Sequence, residues 1–145
     1  MSDWISELKT ADKKTAVDAA IQAEFAVYEE RRYQALIDDW WEEFQSQIEN
    51  EAALLEKGIT TKRTPDIPSI QMERFGSRGY LVVARLQRDA RLIRVAYSYS
   101  DYGIVAKRDD IERFSLGLNA NQISVAGQME FSRYLLMRLI QESEK

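Results

Sequence analysis

The stretch that decides the fold is GYLVVARLQRDARLIRVAYSYS, residues 79–100. On both sides of the short connection Arg88-Asp89-Ala90, side chains alternate between two sets with a period of two, which is typical of β-strands with one solvent-facing side. A connection this short joins antiparallel strands. We therefore predict a hairpin in which one side carries Tyr80, Val82, Ala84, Leu86, Ile93, Val95, Tyr97 and Tyr99.

Further strands flank this hairpin. Residues 70–75 form a weaker strand pattern, Phe114, Leu116 and Leu118 alternate with polar neighbours, and residues 119–122 turn the chain into Ile123-Ser124-Val125. Short connections at residues 76–79 and 101–103 favour sequential antiparallel pairing. We predict a meander of four to six strands within residues 58–127, and a loop over residues 59–68 because both prolines lie there.

Helices are predicted at both ends of the chain. Residues 11–57 contain no Gly or Pro and are rich in strong helix formers, with Gly58 at the expected C-terminal cap and Thr10 or Asp12 as the N-cap. A second helix is expected from about Gln128. The fold class is therefore α+β. We predict one domain, 1–145, made of an acidic helical arm (1–57), a basic antiparallel sheet (58–127) and a C-terminal helix (128–145).

Two apolar stripes lie on the long helix and do not line up. The first contains Val17, Ile21, Phe25 and Tyr28, and the second contains Ile37, Trp41, Phe44, Ile48 and Leu55. Val17 and Phe44 are separated by about 7.5 helical turns, so they point to opposite sides. We favour one continuous helix whose first stripe binds a partner, either a second copy or another protein. The alternative is two helices in a single core.

Charge is divided unevenly along the chain. Residues 1–57 carry 14 acidic and 6 basic side chains, residues 58–115 carry 7 acidic and 11 basic ones, and the total net charge is −4. The acidic helix and the basic sheet can attract each other, and either can attract a partner.

Three arginines alternate onto the predicted wet side of the sheet: Arg85, Arg94 and Arg113. The guanidinium fork suits carboxylates and phosphates. Three interpretations stay open: the arginines pair with acidic residues of this chain, they bind an anionic partner or nucleic acid, or they only keep the sheet solvated. Tyr99 and Tyr102 form a weaker candidate recognition patch beside a hairpin, with core packing as the alternative.

Several function classes are excluded by composition. The chain has no cysteine and no histidine, which removes thiolate nucleophiles, Ser-His-Asp sites and Cys- or His-based metal sites. We expect no catalytic residues, no metal site and no cofactor. No apolar stretch is long enough to span a membrane, and the first residues lack the pattern of a signal peptide, so we expect a cytoplasmic protein without a membrane partner.

These observations favour a non-catalytic protein-interaction module of the adaptor, chaperone or inhibitor kind. Its partner would be another protein or a second copy, with a homodimer formed through the long helix. Nucleic-acid or anion binding through the arginines is the second choice, and an enzyme that uses carboxylates and tyrosine is the third. No motif is specific enough to indicate a family.

Overall fold

A computed structural model describes residues 3–101, 105–119, 122–125 and 130–145, with side chains for 15–101, 105–118, 122–125 and 130–145. It confirms the α+β class, with a long N-terminal helix, an antiparallel sheet and a C-terminal helix. The elements are α1 (Asp3–Leu55), β1 (Thr60–Thr64), β2 (Ser69–Phe75), β3 (Gly79–Gln87), β4 (Leu92–Ser100), β5 (Lys107–Asn119), β6 (Gln122–Val125) and α2 (Phe131–Ser143).

Helix α1 begins earlier than the sequence pattern predicts. It starts at Asp3, so Thr10 and Asp12 lie inside the helix and the prediction that one of them is the N-cap was wrong. The helix ends at Leu55, and the chain leaves it through Glu56 and Gly58, which have φ angles of 52° and 72°. This left-handed region is where a helix ends, and glycine adopts it without a steric penalty.

The chain divides into two compact units, residues 1–35 and residues 36–145. The first unit is the N-terminal part of α1. The second unit contains the rest of α1, the sheet and α2. The prediction of one domain over 1–145 stays a prediction.

Six strands pair antiparallel in sequence order, β1 to β6, as the predicted meander requires. The prediction of a loop over residues 59–68 was wrong for its first half, because Thr60–Thr64 pairs with Ser69–Glu73 as strand β1. Three of the five β1 residues are threonine, whose branched side chain suits a strand. Both prolines lie in the turn between β1 and β2, where the missing N–H is tolerated.

One face of the sheet forms the core of residues 36–145. Side chains from β2, β3 and β4 are buried on this face together with one stripe of α1 and one stripe of α2. The ring of Phe44 stacks on that of Phe131 at 5.2 Å, and Phe131 contacts Phe114 at 4.7 Å, so α1, α2 and β5 meet through aromatic rings. The predicted second stripe of α1 is buried at Ile37, Trp41, Phe44 and Ile48, but its last member, Leu55, is exposed at the helix end.

Ion pairs join the acidic part of α1 to the basic sheet within this unit. Arg63 on β1 donates to Glu49 at 2.6 Å, to Glu42 at 2.7 Å and to the Ser46 hydroxyl at 3.0 Å. Arg88, after β3, pairs with Asp38. Part of the opposite charge in the two layers is therefore neutralised inside the molecule.

Helix α2 offers a test of this packing. Leu139 is fully buried, whereas Met137 is 51% exposed on the same helix. We expect Leu139→Ala to lower the free energy of unfolding by roughly 2–5 kcal/mol, because it removes buried methyl groups and leaves a cavity. We expect Met137→Ala to change it by less than about 0.5 kcal/mol. Urea unfolding followed by circular dichroism measures both, and equal effects would contradict the packing of α2.

Candidate interaction surfaces

The predicted partner-binding stripe is solvent-exposed in the unit formed by residues 1–35. Val17, Ile21, Phe25 and Tyr28 are 56, 58, 64 and 63% exposed. Spacings of four, four and three residues place them along one side of α1. Single exposed apolar residues are ordinary, but four large ones in a row form a contiguous patch of the kind that marks interaction sites. These four residues are called the apolar stripe below.

Charged side chains lie within the apolar stripe and directly after it. Asp18 and Glu24 lie within its length, and the segment Glu29-Glu30-Arg31-Arg32, which has no net charge, follows its last residue. A shallow depression of about 420 Å³ lies beside Tyr28, lined by Ala23, Glu24, Val27, Tyr28 and Arg31. Arg32 forms a long ion pair with Glu29 at 3.8 Å, one turn away. The two acidic side chains within the stripe are therefore followed by a segment of mixed charge that contains both of its nearby arginines.

The structure brings the three predicted arginines together on the outer side of the sheet. Arg85 on β3 lies directly opposite Arg94 on β4, and Arg94 lies opposite Arg113 on β5. Directly opposed residues in antiparallel strands are close neighbours, so like charges there are destabilising. These three residues are called the arginine row.

The arginine row differs from four other arginines on the strands and connections of the sheet. Arg63, Arg74, Arg78 and Arg88 each pair with a carboxylate. Among the residues that the structure describes, no carboxylate pairs with Arg85, Arg94 or Arg113. Self-repulsion in the row is therefore not offset by an ion pair within the described part of the chain.

An apolar row runs beside the arginine row. Val83, Ala96 and Ile111 are opposed across β3, β4 and β5, and all three are half-buried. The same side of the sheet carries exposed Lys62 and Arg108. This outer side therefore combines a flat apolar strip with positive charge.

The tyrosine patch is not assembled by the described residues. Tyr97 is fully buried on the core side, as the core interpretation predicts. Tyr99 is half-buried under the Arg78 guanidinium, which lies 4.5 Å from its ring centroid and also pairs with Glu142. Tyr102 lies outside the described residues, so the patch stays a prediction.

A polar cluster around Arg138 was not predicted from the sequence. This α2 side chain pairs with Asp110 at 3.0 Å and with Glu112, and its guanidinium carbon lies 3.6 Å from the Tyr97 ring centroid. The Tyr134 hydroxyl donates to Glu112 at 2.8 Å. The cluster fastens α2 to β5 and to the core face of β4.

Protonation in this cluster follows from its contacts. The hydrogen bond from Arg138 lowers the pKa of Asp110. Burial, followed by the nearby Glu112 carboxylate, raises the pKa of Tyr97. The buried Tyr97 hydroxyl makes no hydrogen bond of acceptable geometry with another described residue. Burial also raises the pKa of Tyr134. Both tyrosine hydroxyls therefore stay neutral at ordinary pH.

A groove of about 800 Å³ is the second feature that sequence reasoning missed. It lies between α1, β6 and the start of α2. The sequence contains one signal for it. Trp40 and Trp41 are adjacent and therefore point about 100° apart around the helix, so both can be covered only if the apolar face of the helix is wide. Trp41 is buried and Trp40 is half-buried at the groove. The two carboxylates that line it, Glu43 and Glu130, are both exposed.

Within the described ranges, no group of three or more acidic side chains could hold a metal ion. In the part of the chain that the structure covers, no helix combines the length and the apolar composition needed to cross a membrane. Comparisons with known protein families, with curated proteins and with solved structures found no match.

Proposed function

We propose that this protein is a non-catalytic interaction module that associates with a second copy of itself through the apolar stripe. The observation that supports the proposal is the exposure of Val17, Ile21, Phe25 and Tyr28 on one side of a helix. Water contact with four large apolar side chains is unfavourable, and burial against a matching stripe removes it.

Charge complementarity favours a second copy in antiparallel orientation. When two such helices run in opposite directions around a centre near Glu24 and Phe25, Asp18 of one helix lies at the same level along the axis as Arg31 and Arg32 of the other. Each Asp18 is then closer to these arginines than to the Asp18 of its partner. A parallel pair would place like charges side by side, which is repulsive.

The expected affinity is moderate. Complete burial of a side chain such as Val, Ile or Phe contributes roughly 1.5–3 kcal/mol, and the stripe residues are a little more than half exposed, so each gains roughly 1–2 kcal/mol. Association costs roughly 4–15 kcal/mol in lost freedom of motion. With four residues from each copy, the free energy gained by burial exceeds the cost of association by a modest amount. We therefore expect a dissociation constant in the micromolar range.

A charge placed in the stripe should prevent association. We expect Ile21→Glu to shift the protein from dimer to monomer in sedimentation equilibrium, with at least roughly tenfold weaker self-association, because the carboxylate would be buried at the interface. Leu54→Glu is the matched control, since Leu54 is 82% exposed on the same helix but outside the stripe. A wild-type monomer at high micromolar concentration would refute the proposal.

Anion binding by the arginine row is a second candidate function. The observation that favours it is the direct opposition of Arg85, Arg94 and Arg113 without a carboxylate partner among the described residues. A bound polyanion would replace the repulsion with charge-assisted hydrogen bonds. Nucleic-acid phosphates suit such a row, because phosphate contacts need positive charge but no sequence-specific geometry.

Substitution at the centre of the row separates binding from stability. We expect Arg94→Thr to raise the free energy of unfolding by roughly 0.5 kcal/mol at low salt, because it removes repulsion within the sheet. The same change should weaken binding of a fluorescein-labelled DNA single strand and reduce the slope of log affinity against log salt by roughly 0.7. Fluorescence anisotropy measures the binding. No binding by the wild type would exclude this candidate.

A further inference from the structure

Strand β6 ends the sheet. It pairs with β5 through four residues, Gln122–Val125, and the strand order ends there. The backbone N–H and C=O groups of an edge strand that point away from its neighbour are a template for pairing with another extended chain. Natural proteins usually cover or disrupt such an edge.

The groove between α1 and α2 runs along this edge. All four residues of β6 line it. Ile123 and Val125 are half-buried and lie opposite Leu118 and Leu116, whereas Gln122 and Ser124 point to the other face and are exposed. Residues of both faces line the groove, so it extends along the backbone of β6, at the side where an additional strand would lie.

The wall of the groove opposite β6 is formed by one side of α1. Trp40, Glu43, Phe44 and Gln47 share one side of α1 and span roughly 10 Å, close to the roughly 13 Å length of a four-residue strand. The ring of Trp40 stacks on Phe44 at 5.2 Å, and Phe44 stacks on Phe131 at the same distance. Trp40, which is half-buried, is the accessible ring of this row, and the buried Phe44 and Phe131 support it from the core.

Charge around the groove indicates which segment would fit. Among the described residues, its lining includes Glu43 and Glu130 and no lysine or arginine. Glu130 pairs with Arg133 at 2.7 Å, an exposed pair one turn apart, which reduces its charge only in part. Glu43 forms no ion pair with another described residue. An incoming segment with basic side chains would be attracted to this rim.

We propose that β6 accepts an extended segment of a partner protein as an added strand. Apolar side chains of the segment pack on Trp40, and basic side chains reach Glu43 and Glu130. Backbone hydrogen bonds to β6 supply affinity, and the alternating side chains supply specificity, as in other cases of strand addition. The groove belongs to residues 36–145 and the apolar stripe to residues 1–35, so this inference does not depend on the proposed dimer.

Three peptides test the proposal on the full chain. The first is a short acetylated peptide of alternating valine and lysine, the second replaces lysine with glutamate, and the third is the lysine peptide with N-methylated backbone amides. We expect the first to bind in fluorescence anisotropy, with the other two at least roughly tenfold weaker, because one lacks the charge match and the other lacks the backbone donors.

Variants locate the binding. Glu43→Lys with Glu130→Lys should weaken the valine–lysine peptide at least roughly tenfold, because both exposed positions line the groove. Asp39→Lys is the control: it reverses the charge of one exposed carboxylate on α1, as each substitution of the double variant does, but at a position that does not line the groove. Backbone amide signals of Gln122–Val125 should shift in NMR spectra when the peptide is added.

Several results would overturn the inference. The first is that the valine–lysine peptide does not bind. The second is that its N-methylated form binds equally well. The third is that Asp39→Lys and the double variant lose binding to the same extent. A fourth is self-association of the protein that Trp40→Ala abolishes while no peptide binds, which would make a second copy the occupant of the groove.

Discussion

Burial of one face of the antiparallel sheet is the constraint on which residues 36–145 depend. Strands β2, β3 and β4 send every second side chain into the core, and helices α1 and α2 cover that face with the stripe around Ile37 and Ile48 and with Leu135 and Leu139. A sheet with one apolar face is stable only when another layer covers it. The order helix, meander, helix supplies that layer from both ends of the chain.

The side chains and the strand edge that lie outside the core form the surfaces available for interaction. The outer side of the sheet keeps the arginine row, the last strand of the sheet lines the groove, and the first unit keeps its apolar stripe exposed to water. Each of these features carries a local cost, through repulsion between like charges, an open strand edge or exposed apolar area. A binding partner would relieve that cost in each case.

Sequence periodicity predicted what depends on neighbouring residues. The alternation over residues 79–100 placed Tyr80, Val82, Ile93 and Val95 on the core side, and it aligned the arginine row once the strands were known to be neighbours. The two stripes of α1 were separated by helical geometry alone. Local propensity was less informative at Thr60–Thr64, where nearby prolines suggested a loop although threonine favours a strand.

Features built from distant segments could not be predicted. The groove requires β6 to lie beside a turn of α1 about 80 residues earlier, and no local pattern encodes that proximity. The cluster around Arg138 likewise joins α2 to Tyr97 and Glu112 on different strands. Exposure of Leu55 depends on where the helix ends, which helical spacing does not determine.

Cross-linking through introduced cysteines measures whether the apolar stripe pairs antiparallel with a second copy, as we propose. The natural chain has no cysteine, so a single substitution gives an unambiguous signal. Glu24→Cys lies near the centre of the proposed pair and Ala35→Cys near one end, on the same side of the helix. An antiparallel pair predicts a disulfide-linked dimer for Glu24→Cys and none for Ala35→Cys under mild oxidation. Cross-linking of both variants, or of neither, would contradict the account.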